Sequence, residues 1–120
     1  MRQELRLDNR LCKRFDVKDC MIALGSVQGH IIDISFAGLS FRYKATDASV
    51  ESTTEYGAIF DGNGLFFDRI RLRNVSDVAL HDEVDDSGAG YRRRGMAFGA
   101  LTLPDFTVLA RVIRQHALSM

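Results

Sequence analysis

The chain is short of cysteine, lysine, proline and long hydrophobic runs, and each shortage excludes something. Two cysteines, Cys12 and Cys20, cannot build a disulfide framework. The seven residues between them do not match the roughly two-to-four-residue spacing of a zinc half-site. Both are expected to be free thiols in a reducing compartment. No uncharged stretch approaches the ~18 apolar residues of a membrane span, and the N-terminal MRQELRLDNR lacks the apolar run of a signal peptide. A cytoplasmic chain with no membrane span is therefore expected. A nucleophile elbow, a phosphate-binding loop, a metal-ligand cluster and paired catalytic carboxylates are all missing, so neither enzymatic activity nor a cofactor is expected. Net charge is missing too, because 16 Lys and Arg meet 16 Asp and Glu.

What is present fits one folded domain. A length of 120 residues lies in the range of a single domain of roughly 100–200 residues. The 46% apolar and 27% charged fractions exclude disordered, collagen-like and coiled-coil chains. The basic residues divide unevenly, 13 Arg against 3 Lys, and a planar five-donor guanidinium is favoured where phosphates or base edges are gripped. The charges are also unevenly placed. Residues 1–20 hold six bases against four acids, whereas HDEVDDSGAG at 81–90 holds four acids and no Lys or Arg. A compact anion could find a basic pocket on such a chain, but the acidic segments would repel a long polyanion.

Most of the chain reads as short strands. DCMIAL at 19–24 ends at Gly25, and GSVQG supplies a turn before HIIDIS at 30–35. In LSFRYKA at 39–45, Leu39, Phe41 and Tyr43 alternate with Ser40, Arg42 and Lys44, the period of a half-buried strand. The polar segment 46–55 reads as a loop. GNG joins YGAIFD at 56–61 to a run from Leu65 onward as a hairpin. There Ile70 and Leu72 alternate with Arg69, Arg71 and Arg73, predicting one packed and one cationic face. HDEVDDSGAG reads as an exposed hairpin tip, and YRRRGMAFGA as the last strand.

The period changes at the end of the chain. Thr102 and Asp105 form a capping-box pair, Pro104 falls in the first turn, and Phe106, Leu109, Ala110, Ile113 and Ala117 recur at helical spacing. About six strands and one terminal helix predict a mainly β fold: a small six-stranded antiparallel β-barrel with a C-terminal helix over 104–117. The expected organisation is a flexible arm over 1–9 and one domain over 10–117.

Two short patterns carry the functional expectation. Arg10 and Arg14 form Arg-x-x-x-Arg. Eighteen residues separate Arg14 from Asp33-Ile-Ser35-Phe-Ala-Gly38, an Asp-x-Ser-x-x-Gly on the strand HIIDIS and the turn leaving it. With this arginine content, roughly one or two Arg-x-x-x-Arg matches arise by chance, and the chain has four. Asp-x-Ser-x-x-Gly is rarer but recurs at Asp85, Ser87 and Gly90, inside the acidic tip and with only eleven residues between Arg73 and Asp85. The first copy is preferred for its apolar, β-branched surroundings and its distance from Arg14. This pairing, the flanks RFDVKD and IIDISFAGLSF, the stretch RRRGMAFGALT and the terminal helix together resemble the PilZ domain, a bacterial receptor for the second messenger cyclic di-GMP. The resemblance spans about Arg10 to His116. It implies ligand binding by Arg10, Arg14, Asp33, Ser35 and Gly38, with Arg42 as an additional contact, and signalling through an effector protein.

The chemistry of those residues suits that ligand. An Arg fork donates in parallel to guanine O6 and N7 or to phosphate oxygens. An ionised Asp accepts from guanine N1–H and N2–H₂, Ser adds a small hydroxyl, and Gly lets the backbone approach closely. An arm carrying Arg10 and Arg14 that folds over a rigid strand would become ordered on binding. Two other readings stay open: a small barrel that binds single-stranded nucleic acid, disfavoured by the zero net charge and the acidic tip, and an adaptor of the same fold that binds no nucleotide. Arg92, Arg93 and Arg94 read as a solvated strand face from which one could reach the ligand or a partner, and His30, His81 and His116 as structural or solvent-facing.

Overall fold

The computed structural model describes residues 12–45, 54–84, 88 and 90–118. The arm over 1–9, Arg10 and most of the 46–55 loop lie outside the described residues. Seven strands precede one helix: β1 Phe15–Asp16, β2 Met21–Leu24, β3 Val27–Ile34, β4 Gly38–Lys44, β5 Thr54–Asp61, β6 Gly64–Val84, β7 Gly90–Phe98 and α1 Leu103–His116. The strands form one antiparallel sheet in the order β1-β3-β2-β5-β6-β7-β4, and β4 pairs with β3 as well as with β7.

The expected six-stranded barrel is corrected to this single seven-stranded sheet with a C-terminal helix. Two features lie behind the difference. Phe15–Asp16 adds a short strand to β3, in the register Phe15↔Ile34 and Asp16↔Asp33. β6 is also far longer than the sequence suggested, at 21 residues, because part of the segment read as a hairpin tip continues the strand as far as Val84. Among the described residues, pairing of β5 with β6 reaches Thr54↔Arg73, while pairing of β6 with β7 continues past it. The two strands thus run on beside β4, which pairs with β7 as far as Lys44↔Tyr91, in a molecule of 55 × 30 × 27 Å.

Local sequence explains the elements. Gly25, at φ 58°, occupies the left-handed region in the turn between β2 and β3, where a side chain is disfavoured. The turn is shorter than expected, so Val27 already belongs to β3 and is buried. At the β5–β6 hairpin, Asp61 Oδ1 accepts from Asn63 N–H (2.8 Å) and Gly64 N–H (3.0 Å), the turn chemistry typical of Asp. Ile70 and Leu72 are buried on the core face of β6, and Arg69, Arg71 and Arg73 are exposed on the other. Arg69 lies 3.9 Å over the Tyr56 ring.

The helix starts as its sequence dictates. Asp105 N–H donates to Thr102 Oγ1 (3.3 Å), and Thr102 N–H donates to Asp105 Oδ2 (2.8 Å), satisfying two donors that the first turn would otherwise leave unpaired. Leu109, Val112 and Ile113 are its buried residues, and each contributes about 1.5–3 kcal/mol on leaving water. They join a core that includes Ile22, Ile34, Leu39, Phe41, Ile59 and Leu72. At the far end of α1, His116 lies 2.8 Å from Asp61 Oδ2 and 2.9 Å from the Lys18 carbonyl, tying the helix to the sheet. The Asn63 N–H first, and then His116, hold the Asp61 carboxyl below its ordinary pKa. Among the described residues, no helix is long and apolar enough to cross a membrane.

Candidate functional site

Asp33 owes its position to a β-bulge. Strict alternation along β3 would put Asp33 on the face of Ile31, which pairs with Phe41 and is buried in the core. The β3–β4 register shifts between Ile31 and Asp33, so Asp33 faces Ser40 instead, and pairing resumes at Ile34↔Leu39. The extra residue, Ile32, re-aims the aspartate as bulges do.

Two arginines converge on that carboxylate. Arg14 Nη1 donates to Asp33 Oδ1 at 2.8 Å, and Arg93 Nη2 donates to Asp33 Oδ2 at 2.7 Å and to Ser40 Oγ at 3.1 Å. The Asp33 side chain is only 7% exposed, against 52% for Arg14 and 42% for Arg93. A buried carboxylate is thus held by two guanidinium groups whose other faces are open to water. β1 brings Arg14 there, because the next residue, Phe15, pairs with Ile34, the chain neighbour of Asp33.

Ser35 and Gly38 form the turn between β3 and β4. Ser35 Oγ accepts from the Ala37 N–H (3.1 Å) and the Gly38 N–H (3.3 Å), and the Ser35 N–H donates to the Gly38 carbonyl (2.8 Å). The hydroxyl is buried and closes the β3–β4 turn. A Cβ on Gly38 would stand 2.1 Å from the Met96 carbonyl oxygen, so only glycine lets β4 lie this close to β7. Both residues shape the turn that carries Asp33. Arg42, on β4, donates to Glu83 Oε1 at 2.9 Å and lies 4.7 Å over the Tyr91 ring.

Beside the cluster runs an open groove of about 630 Å³, lined among others by Asp16, Lys18, His30, Arg42, Glu83 and Arg93. Its volume falls within the roughly 300–1,000 Å³ of small-ligand sites. Arg93 is the link, since it lines the groove and also grips Asp33. The structure brings Arg14 and Asp33 together directly, with Arg42 on the groove. Arg10 lies outside the described residues, as do Asp85 and Ser87 of the second motif copy.

The reading of Arg92–Arg94 as a solvated face is corrected by their alternation on β7. Arg93 turns to Asp33, whereas Arg94 is fully buried. Arg94 Nε donates to Asp77 Oδ2 (3.1 Å) and Nη2 to Tyr43 Oη (3.1 Å), and the guanidinium lies 4.7 Å over the Tyr43 ring. Tyr43 Oη in turn donates to Asp77 Oδ2, and Arg92 Nε donates to Asp77 Oδ1 at 2.7 Å. Burial pushes the Asp77 carboxyl up, but the hydrogen bonds from Tyr43, Arg92 and Arg94 outweigh it and hold the group below its ordinary pKa. Burial, and then the hydrogen bond to Asp77, push the Tyr43 phenol above its ordinary value. This network binds the β6–β7 ribbon to β4. A run of three arginines was the one available signal for Arg93, and it became interpretable only with the strand register.

No protein-family model and no curated protein matches the chain. The resemblance to the PilZ family accordingly rests on the sequence motifs alone.

Proposed function

We propose that the chain is a receptor for cyclic di-GMP that passes the signal to an effector protein. The observation that carries this reading is the convergence of Arg14 and Arg93 on the buried Asp33 carboxylate at the lip of a groove of about 630 Å³. Without ligand, the two guanidinium groups occupy the acceptor positions that a guanine N1–H and N2–H₂ would take. Binding exchanges partners: Asp33 accepts from the guanine edge, and Arg14 and Arg93 turn to phosphate oxygens or to guanine O6 and N7. Asp33 exchanges two cations for a neutral guanine edge, and the charge-assisted contacts that the two arginines gain with the ligand phosphates offset that loss. Arg42 reaches the ligand by leaving Glu83, a pair that is substantially exposed on both sides and so contributes little to hold it back. Ser35 and Gly38 hold the turn and need not touch the nucleotide.

Titration calorimetry of the full chain tests this. Cyclic di-GMP is expected to bind with a saturable heat that Asp33→Ala and Arg14→Ala each weaken, and that Asp85→Ala leaves intact. Absence of binding by the unsubstituted chain, or affinity unchanged from it in both site variants, rejects the assignment. A parallel titration with single-stranded RNA separates it from the nucleic-acid reading.

A further inference from the structure

We infer that His116, with a proton on both ring nitrogens, is a clasp that holds the Asp16–Asp19 wall of the groove to the end of α1. The wall is firm while the ring is charged and loosens when it is neutral. The inference takes the groove from the structure and not from the nucleotide reading, and its test needs no nucleotide. Asp16, Val17, Lys18, Asp19 and Leu118 all line the groove. Strand pairing alone secures that wall poorly: β1 is two residues long, and Asp19, at φ 59°, occupies the left-handed region that a side chain disfavours. Among the described residues, two neighbours hold it. On one side the Val17 N–H donates to the Ile32 carbonyl of β3 at 3.0 Å. On the other lies the end of α1. The Lys18 N–H donates to the His116 carbonyl (3.2 Å), the Leu118 N–H donates to the Asp16 carbonyl (2.8 Å), and Val17 bridges to Ala117.

The His116 ring closes this second side, and its partners fix its protonation. Nδ1 lies 2.9 Å from the Lys18 carbonyl, which only accepts, so Nδ1 carries a proton. Nε2 lies 2.8 Å from Asp61 Oδ2. The Asn63 N–H first, and then His116, hold the Asp61 carboxyl below its ordinary pKa, so it is ionised and also only accepts. A neutral imidazole has one N–H and makes one of these two bonds; the imidazolium makes both. The pair is shielded from water, with side-chain exposures of 11% for His116 and 7% for Asp61, so solvent does not readily replace an unmade bond. Other ionisable groups stand nearby without taking over the role. Cys20 feels the Asp61 charge, but its thiol, pushed up to about 12, stays neutral. Arg111 of α1 lies 5.6 Å over the Phe66 ring of β6, which His116 meets edge-on at 5.8 Å, and Arg114 shares the last turn with His116. Both remain cations, while the carbonyl end of α1 favours a positively charged ring. Loss of one ring proton breaks the bond to the Lys18 carbonyl or the bond to Asp61. Either way the wall and the end of α1 lose their common anchor on the sheet.

Nuclear magnetic resonance of the ¹⁵N-labelled full chain, from about pH 5 to about pH 9 across the range in which histidine switches, tests the inference. The His116 ring is expected to show two N–H groups at the acid end. Protection factors of the Lys18 and Leu118 amides, which join the wall to the end of α1, are expected to fall about tenfold as the ring titrates. The Ile31 amide, which donates to the Cys20 carbonyl at 2.9 Å within the sheet, is expected to keep its protection. Asp61→Asn gives a sharper test. The introduced amide donates to Nε2 while its oxygen keeps the turn bonds from Asn63 and Gly64, so a neutral ring meets both partners and the wall is expected to stay protected toward alkaline pH. His116→Gln does not titrate and offers a donor to Asp61 alone, so protection is expected to be low at every pH. A single ring N–H while both amides are protected, protection that ignores the ring's titration, a loss at Ile31 equal to that at Lys18, or an unchanged pH dependence in Asp61→Asn each overturns it. Circular dichroism checks that both variants fold, and the unsubstituted chain decides the matter by itself if either does not.

Discussion

Arg93 on β7 reaches across β4 to hydrogen-bond Asp33 on β3 at 2.7 Å, sixty positions away in the chain. Ser40, on the intervening strand, accepts from the same Nη2, so the contact joins three strands. Arg14 holds the other carboxylate oxygen, and neither arginine is by itself indispensable to Asp33. Arg14→Ala or Arg93→Ala alone is therefore expected to cost less than about 1 kcal/mol of stability. The double substitution leaves a buried carboxylate without a cation and is expected to cost about 3 kcal/mol. Urea denaturation of the four proteins in a double-mutant cycle measures the coupling, and additive costs would show that the arginines do not share the carboxylate.

Ligand affinity is expected to respond differently. In the proposed complex each group has its own ligand contact, so Asp33→Ala, Arg14→Ala and Arg93→Ala should each lose one charge-assisted interaction. That is about 1.5–3 kcal/mol, or roughly tenfold to a hundredfold in affinity. Calorimetry on the three variants checks it. Loss confined to Asp33→Ala would leave the arginines a purely structural role.

The buried Arg94 network makes a separate prediction. Arg94→Ala removes a fully buried guanidinium that serves both Asp77 and Tyr43. It is expected to cost about 3 kcal/mol. Arg94→Lys should recover little of this, because an ammonium cannot meet Asp77 and Tyr43 with two fixed donors while stacking on the Tyr43 ring. Thermal or urea unfolding of both variants gives the comparison, and full rescue by lysine would reduce the site to a point charge.

The same network sets both limbs of the stability–pH curve. Asp77 is held below its ordinary pKa, so its contribution is present above the unfolded-state value and is lost as the pH falls through the folded-state value, below about 4. Tyr43 is raised, so its contribution is complete below the unfolded-state value of about 10 and is lost as the pH climbs beyond it. Stability measured across pH should therefore form a plateau with two shoulders. Asp77→Asn is expected to flatten the acid limb and Tyr43→Phe the alkaline one. Unchanged slopes in these variants would place the titrating groups elsewhere.

Much of this arrangement was legible in the sequence, and the remainder was hidden for definable reasons. The helix announced itself through Thr102, Pro104 and Asp105, which act locally, and through an apolar spacing that needs no partner. Arg14 and Asp33 were legible as a motif pair. The bulge at Ile32 was not, because it is defined only by what lies across from it on β4; read alone, Asp33 falls on the same face as the core residue Ile31. Arg93 and Arg94 were indistinguishable for the same reason, since one turns outward and the other inward only once β7 is set against β4. The length of β6 was masked by Asp82 and Glu83 between Leu80 and Val84, which gave the end of a paired strand the composition of a loop. The six-stranded barrel expectation failed at the two places where strand ends depend on neighbours, Phe15–Asp16 and the ribbon beyond Arg73.

The two thiols separate chemically although the sequence treats them alike. Cys20 is fully buried, and burial, reinforced by the nearby Asp61 charge, pushes its thiol up to about 12. The thiolate is the reactive form, and it is scarce at neutral pH at such a value. Cys12 is only half-buried. A disulfide reagent applied to the native protein at neutral pH is thus expected to modify Cys12 promptly and Cys20 only at the rate of unfolding. In denaturant both should react alike. Mass spectrometry of a time course distinguishes the sites, and Cys20→Ala should leave the fast phase untouched. Because Cys20 lies just before β2 and its carbonyl accepts from the Ile31 N–H of β3 at 2.9 Å, its slow modification also reports opening of the strands beside the bulge. If the nucleotide binds where Asp33 and Arg93 meet, saturating cyclic di-GMP should slow that modification further, whereas acceleration would mean that the ligand loosens this part of the sheet.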